Sequence, residues 1–470
     1  MIGRIKEVED LEKMYASDES EFVAVYGRRR VGKTYLVRET FDGRMTFQHS
    51  GLAKGGMRKQ LRHFHDSLVK QGFPGACPSD WFEAFGQLEK LVEKSDLKRK
   101  VVFIDEMPWM DTPRSDFVSA LESFWNGWAS ARKDVLLIVC GSAASWLVKN
   151  LFRNHGGLHN RVTWRIHLLP FTLNECERFV QERGVVLSRR EIAECYMALG
   201  GIPYYWRYLD RRFGLEQNFD QMFFAENAPL RNEFGELYAS LFRKAGGYMK
   251  VVSALARKKI GMNMSELSDA LKIKANGTLT KQLATLEHCG FIRSYRSFGS
   301  KKKNTLYQLV DNFTLFHFRF LENPSRDAKF WSSTSRSPAQ HAWRGLAFER
   351  LCLLHAEQIR DKLRIGGVHT EVYAWSHVGD DVYPRGAQID LILDRADGII
   401  NLCEMKFCDG PYAIDKEEME KIEYRRAAFR GVTGTNRAVH LTMVTSNGLV
   451  PNTYRNSIQS EVTLDDLFTA

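Results

Sequence analysis

The run Gly27-Arg28-Arg29-Arg30-Val31-Gly32-Lys33-Thr34 constrains this chain more than any other stretch. It satisfies the phosphate-loop pattern G-x-x-x-x-G-K-[ST] at every fixed position. The apolar run Phe22-Val23-Ala24-Val25-Tyr26 ahead of it predicts a buried strand. The segment from Lys33 through Val37 and Thr40 predicts the helix that follows. Gly27 and Gly32 let the backbone curl so that its N–H groups point inward at phosphate oxygens, and the new helix N-terminus adds its dipole. Lys33 supplies a point charge for the β- and γ-phosphates, and Thr34 a hydroxyl for Mg²⁺. Gly27, Arg28, Arg29, Arg30, Val31, Gly32, Lys33, Thr34 and Tyr35 are therefore the candidate nucleotide-binding residues. The alternative is a chance match in a glycine-containing turn, and the flanking strand and helix argue against it.

A second run completes the site. Val101-Val102-Phe103-Ile104-Asp105-Glu106 is four apolar residues ending in two acids. A parallel strand buried on both faces reads this way, and open α/β sheets bind ligands at the carboxyl ends of their strands. Asp105 is placed to hold Mg²⁺, mostly through water. Glu106 is placed to orient the attacking water, because positioning and charge stabilisation do most of the work in phosphoryl transfer. Val135–Cys140 predicts a third buried strand, followed by Gly141 and Ser142. Ser142 suits a γ-phosphate sensor, and equally a cap for a helix beginning near Ala143. Val162–Leu169 predicts a fourth strand, closed by Pro170. Arg153 and Arg161 precede it; each is either a phosphate ligand or a surface arginine. ATP hydrolysis with Mg²⁺ is the expected chemistry.

At 470 residues the chain should hold more than one domain. No apolar stretch reaches transmembrane length, and the first residues lack a signal-peptide core, so the expectation is a cytoplasmic protein without membrane contact. The eight cysteines are scattered and form no C-x-x-C pair, which indicates reduced, mostly buried thiols. The net charge of +10 is local: residues 241–320 hold 15 Lys and Arg against 4 Asp and Glu, leaving the rest near neutral. Such an excess marks either a nucleic-acid surface or a solvated basic face.

The patterning divides the chain into an ATPase core over residues 1–170, a helical lid over 171–240, a third segment over 241–322, a linker over 323–340 and a last domain over 341–470. The Trp-rich stretch Phe117, Leu121, Phe124, Trp125 and Trp128 recurs at helical spacing and is expected in the core. In the third segment, helices around Val251–Ala256, Asn263–Leu267 and Leu279–Leu286 precede a hairpin. That hairpin pairs Phe291–Tyr295 with Thr305–Leu309 across a tip carrying Lys301, Lys302 and Lys303. Three helices and a basic hairpin predict a winged helix-turn-helix, contacting DNA or serving only as a nucleotide-switch or protein-contact module. Residues 323–340 are rich in Ser, Pro and Arg.

The last domain opens with a helix from His341 to about Arg360 that carries Glu349, followed by strand candidates Glu371–Trp375, Gln388–Leu393 and Asn401–Phe407. Asp390 is an acid inside an apolar strand, where an unpaired charge is costly. Strand period puts Glu404 and Lys406 on one face of theirs. Carboxylates and a lysine converging from neighbouring strands can bind a hard divalent cation and activate water beside it. The competing reading is a buried Glu–Lys pair with an unrelated Asp.

Residues 1–320 resemble the archaeal-type ATPases of the STAND branch of P-loop NTPases, related to AAA+ proteins. The resemblance rests on Ile2-Gly3-Arg4, the full phosphate loop, Asp105-Glu106, Cys140-Gly141-Ser142 and Gly201-Ile202-Pro203. It implies a nucleotide-binding α/β domain, a helical lid and a winged helix closing over the nucleotide. It also implies Gly3 and Arg4 near the adenine, Ser142 sensing γ-phosphate, Pro203 lining the pocket, and Arg161 as the candidate arginine finger. The C-terminal part looks like the PD-(D/E)xK nuclease superfamily. Glu349, Asp390, Glu404 and Lys406 match its helix acid, strand acid and E-x-K, and the resemblance implies Mg²⁺ or Mn²⁺ at Asp390 and Glu404. The expected fold is a multidomain α/β protein: a P-loop parallel sheet, a lid, a winged helix and a restriction-endonuclease-like domain. The expected function is an ATP/ADP switch controlling a DNA-directed, metal-dependent nuclease, in defence or a mobile element, with a nucleotide-dependent homo-oligomer or a protein as trigger. The alternative is a nucleotide-switched DNA- or protein-binding regulator whose nuclease-like domain is inactive.

Overall fold

The computed structural model describes residues 1–142, 144–152, 157–158, 160–242, 244–299, 305–335 and 337–469. The chain divides into two compact units, Met1–Pro170 and Phe171–Ala470. Arg153 and the tip residues Lys301, Lys302 and Lys303 lie outside the described residues.

The first unit is built on strands β1 (Glu21–Tyr26), β2 (Met45–Ser50), β3 (Lys100–Asp105), β4 (Val135–Gly141) and β5 (Trp164–His167). They pair in the order β2-β3-β4-β1-β5, all parallel. Every residue of β3 and β4 is buried, as continuous apolar runs demand of strands covered on both faces. Phe117, Leu121, Phe124 and Trp125 of the helix Phe117–Gly127 are core residues, as their spacing predicts. Trp125 packs on Phe22 of β1 at 5.0 Å between ring centroids, and Trp81 meets Phe117 edge-on at 4.9 Å. Because β4 lies between β1 and β3, the turns that leave these three strands open at one edge of the sheet, where the phosphate loop begins.

The second unit starts with helices Leu173–Glu182 and Arg189–Leu199, each opened by a reciprocal capping box, from Thr172 with Glu175 and Ser188 with Glu191. Helices Ala245–Ala256, Met264–Leu271 and Gly277–His288 lead into the antiparallel hairpin of β6 (Ile292–Arg296) and β7 (Thr305–Leu309). The helix Pro338–Leu354 then precedes the antiparallel meander β8 (Thr370–His377), β9 (Ala387–Arg395) and β10 (Ile399–Lys406). A crossover helix, Lys416–Thr433, returns the chain to β11 (Ala438–Thr445), parallel to β10, and β12 (Ser460–Thr463) follows beside β11. The sheet order is β12-β11-β10-β9-β8.

Two features differ from the sequence reading. Residues 323–340 are not a free linker: Trp331, on the short helix Phe330–Ser333, is 1% exposed. It stacks against Phe219 at 4.9 Å and meets Trp343 edge-on at 5.4 Å, while its backbone N–H donates to Asp220 at 2.8 Å. Its aromatic surface outweighs the polar composition around it. The hairpin is also not separate from the last domain. The Phe298 N–H donates to the Ala374 carbonyl of β8 at 2.9 Å, and the Phe298 ring packs on Phe429 at 5.0 Å, extending the sheet edge.

His355 follows the helix Pro338–Leu354 and is buried. Its Nδ1 donates to the Leu351 carbonyl at 2.9 Å, and its Nε2 accepts the Leu173 N–H at 3.1 Å. Burial pushes this imidazole down to about 4 from 6.5. The unfolded chain takes up this proton near pH 6.5 and the folded chain does not, so the contribution is complete above that pH and is lost as pH falls through about 4. The expected loss is on the order of 3 kcal/mol. Urea unfolding at pH 7 and pH 4.5 should resolve it, and His355→Gln should remove that part of the pH dependence.

Candidate nucleotide site and a carboxylate cluster

The phosphate loop departs from β1 at Gly27, whose φ is 149° and whose added Cβ would lie 2.2 Å from the Leu168 carbonyl oxygen. Glycine is required here because β5 runs directly beside the turn. Arg30 and Gly32 also take positive φ, at 70° and 95°, and the helix begins at Lys33. The Lys33 side chain is buried, with Nζ donating to the carbonyls of Gly27 at 3.1 Å and Arg28 at 2.9 Å. The ammonium is thus held inside the curl. Val31 and Arg28 are buried, Arg29 and Arg30 half-buried, and Tyr35 exposed.

The Thr34 hydroxyl donates to Asp105 Oδ2 at 2.7 Å, joining the loop to the end of β3. Burial pushes the Asp105 carboxyl above the usual carboxylate range, against the Thr34 hydrogen bond that favours its charge. Glu106, at φ 45°, accepts the Ser142 hydroxyl on Oε2 at 2.9 Å. This contact joins the end of β4 to the end of β3. Gly3 and Arg4 both have φ of 60°. The Arg4 guanidinium donates to the Leu169 carbonyl at 2.7 Å and lies 3.4 Å from that of Val31, fastening the chain opening to the loop. Arg161 is exposed in the turn before β5. Pro203 opens the short helix Pro203–Trp206 of the second unit.

The second constellation stands on β9, β10 and the helix Pro338–Leu354. The register pairs Leu391 with Cys403, which sets Asp390 and Glu404 beside each other on one face. Each is neutralised by a different cation. Asp390 Oδ2 lies 3.1 Å from Lys259 Nζ, which also lies 2.6 Å from Glu349 Oε2. Glu404 Oε2 accepts from Arg425 at 2.7 Å, and its Oε1 lies 3.1 Å from Lys406 Nζ. Lys406 reaches Glu418 at 2.8 Å as well. Burial works against the Lys406 charge, yet Glu404 and Glu418 hold it above the usual lysine range. Burial and the Asp390 charge push the Glu349 carboxyl up, against Lys259.

Among the described residues no group of three or more His, Cys, Asp or Glu side chains is placed to hold a metal ion. Salt bridges to Lys259 and Arg425 lower the repulsion between the neighbouring carboxylates. Sequence reasoning missed Lys259, Glu418 and Arg425. Glu418 and Arg425 are seven residues apart, on one face of the helix Lys416–Thr433, a spacing that was available. Lys259, inside Arg257-Lys258-Lys259, reads as a solvated basic run and gave no signal.

The parallel order, the loop and the Thr34–Asp105 contact define a P-loop nucleotide-binding α/β fold. Residues 1–209 match the family described as an ATPase domain predominantly from Archaea, so the N-terminal part of the chain carries an ATPase domain of that type. An uncharacterised protein of Methanocaldococcus jannaschii is 25% identical over 405 residues, covering 83% of each chain. The Walker-type ATPase of Pyrococcus abyssi is 19% identical over 68% of this chain and 96% of its own, with a TM-score of 0.50. A STAND protein with a tetratricopeptide repeat sensor from Pyrococcus horikoshii is 16% identical over 78% of this chain and 50% of its own, with a TM-score of 0.32. Among the described residues no helix is long and apolar enough to cross a membrane.

Gly27→Ala should force the loop off the Leu168 carbonyl and lower nucleotide affinity by about tenfold or more. Titration with a fluorescent ATP analogue reads this directly.

Proposed function

We propose that the chain is an ATP-driven switch coupled to a metal-dependent, DNA-cleaving C-terminal domain. For the ATPase half, the carrying observation is the continuous set Lys33, Thr34, Asp105, Glu106 and Ser142. Lys33 brings its charge to the β- and γ-phosphates. Thr34 and Asp105, already in contact, would hold Mg²⁺, which offsets phosphate charge when bound. Glu106 orients the attacking water, and the Ser142 hydroxyl fixes the carboxylate that does so. Gly3 and Arg4 support the loop beside the base.

For the C-terminal half, the carrying observation is topology combined with position. A helix, a three-stranded antiparallel meander, a crossover helix and a parallel strand occur in that order. Glu349 lies on the helix Pro338–Leu354, Asp390 on β9, and Glu404 and Lys406 on β10, positions that support this reading. Asp390 and Glu404 face each other across β9 and β10, and Glu349 shares a cation with Asp390, so these oxygen donors would suit Mg²⁺ or Mn²⁺. A bound divalent cation supplies Lewis-acid charge and a more acidic water. Lys406, steadied by Glu418, stabilises charge developing on the phosphate. DNA is the partner that fits the 15 Lys and Arg against 4 Asp and Glu of residues 241–320, with the three helices and hairpin acting as a winged helix. A second reading, a regulator whose nuclease-like domain does not cut, is favoured by one observation: Lys259 and Arg425 engage the very carboxylates that would hold metal.

Lys33→Ala should weaken ATP binding by roughly 10- to 100-fold through loss of charged hydrogen bonds. Glu106→Gln should retain binding and lower turnover by about 100-fold or more. Wild-type turnover in Glu106→Gln would remove Glu106 from its role.

Asp390→Asn and Lys406→Ala should each lower Mn²⁺-dependent DNA cleavage by about 100-fold or more while leaving ATP turnover intact. Incubating the full chain with ATP, Mn²⁺ and linear, nicked and single-stranded DNA checks this. Nucleotide-dependent DNA affinity with no cleavage of any form would select the regulator instead.

A further inference from the structure

The cation between Glu349 and Asp390 comes from elsewhere in the chain. Lys259 lies in the turn after the helix Ala245–Ala256, about ninety residues before Glu349 in sequence. Of the basic run Arg257-Lys258-Lys259, Arg257 is exposed and Lys258 pairs with Glu266 at 2.5 Å; Lys259 turns toward the carboxylates. The turn is tightly held. Met262 and Tyr307 exchange backbone hydrogen bonds of 2.9 and 2.8 Å. Gln308 donates to the Lys259 carbonyl at 2.8 Å, and Arg350, the neighbour of Glu349, donates to the same oxygen. The Tyr295 hydroxyl donates to the Ile260 carbonyl. Gly261 has φ 89°, and an added Cβ would lie 2.4 Å from the Tyr307 carbonyl oxygen, so the turn admits no side chain there. The ammonium is therefore placed by the β6–β7 hairpin on one side and by the Glu349 helix on the other.

We propose that Lys259 is an internal counter-ion that closes the C-terminal carboxylate site: its ammonium occupies the position a divalent cation would take between Glu349 and Asp390. Metal enters only when the turn 257–262 withdraws. This rests on the reading of Glu349 and Asp390 as metal-holding residues given above. The chemistry is competitive. A divalent cation takes carboxylate oxygens at about 2.0–2.6 Å, and a lysine ammonium hydrogen-bonded to both carboxylates fills the same space with one positive charge. Two carboxylates this close need a cation, and ammonium and metal are alternatives for it. The hairpin that holds the turn also extends the β8 edge through Phe298, so displacing the hairpin disturbs both the sheet edge and the ammonium.

The experiment uses the full chain without nucleotide, titrated with Mn²⁺ and followed by calorimetry and by the free Mn²⁺ paramagnetic resonance signal. Lys259→Met should bind Mn²⁺ at least tenfold more tightly than wild type, and Lys259→Met with Asp390→Asn should lose that gain. Lys259→Gln, which keeps a polar donor without the charge, gives the same comparison if the methionine variant does not fold. Equal Mn²⁺ affinity in wild type and the Lys259 variants overturns the proposal, as does a gain that persists without Asp390. Plasmid cleavage separates the two layers. Tighter Mn²⁺ binding without cleavage upholds Lys259 as the competing cation and removes the nuclease reading. Equal, Asp390-dependent cleavage by wild type and Lys259→Met keeps the nuclease and removes the role of Lys259.

Discussion

A lysine ammonium enclosed by backbone carbonyls is the contact on which the nucleotide site depends. Lys33 donates to Gly27 and Arg28, so the loop is curled with its positive charge inside. Pre-organisation of this kind lowers what binding must spend on ordering. It requires Gly27, because β5 leaves no room for a side chain beside Leu168. It also requires the strand order, because β4 must lie between β1 and β3 to bring Ser142 to Glu106 while Asp105 meets Thr34. Burial of Asp105 is the counterpart: a carboxyl raised by desolvation is one whose charge is improved by a cation.

The same constraint shapes the second unit. Buried charge is tolerated only when paired, and pairing there ties together segments that are distant in sequence. Arg344 and Glu194 form a buried pair at 2.9 Å between the helix Pro338–Leu354 and the second helix of the unit. Lys259 joins the three-helix segment to Glu349 and Asp390. Trp331 adds an apolar tie between Phe219 and Trp343. The helices that open the unit, the three helices with their hairpin and the C-terminal sheet are thus held by shared contacts rather than strung on linkers. A carboxylate site assembled this way is sensitive to the position of its neighbours.

Much of this was legible in residue patterns. The phosphate loop, the apolar run ending in Asp105-Glu106, the buried aromatic helix and the hairpin are local: each depends on period, glycine placement or a short spacing, and each lies where the pattern put it. The E-x-K pair was legible for the same reason, since strand period places Glu404 and Lys406 on one face. The strands β11 and β12 and the crossover helix were not read. Their apolar residues alternate poorly, and the helix Lys416–Thr433 carries charge around most of its surface.

The sequence by itself determined the nucleotide chemistry, because a phosphate loop is a contiguous backbone device and its residues need only their neighbours in the chain. Tertiary structure alone decided which charges meet. Lys259 has no periodicity that singles it out from Arg257 and Lys258, and Trp331 sits in a polar stretch that reads as a linker. Their partners lie far along the chain, and the Coulomb and packing energies that select them exist only after the strands and helices have docked.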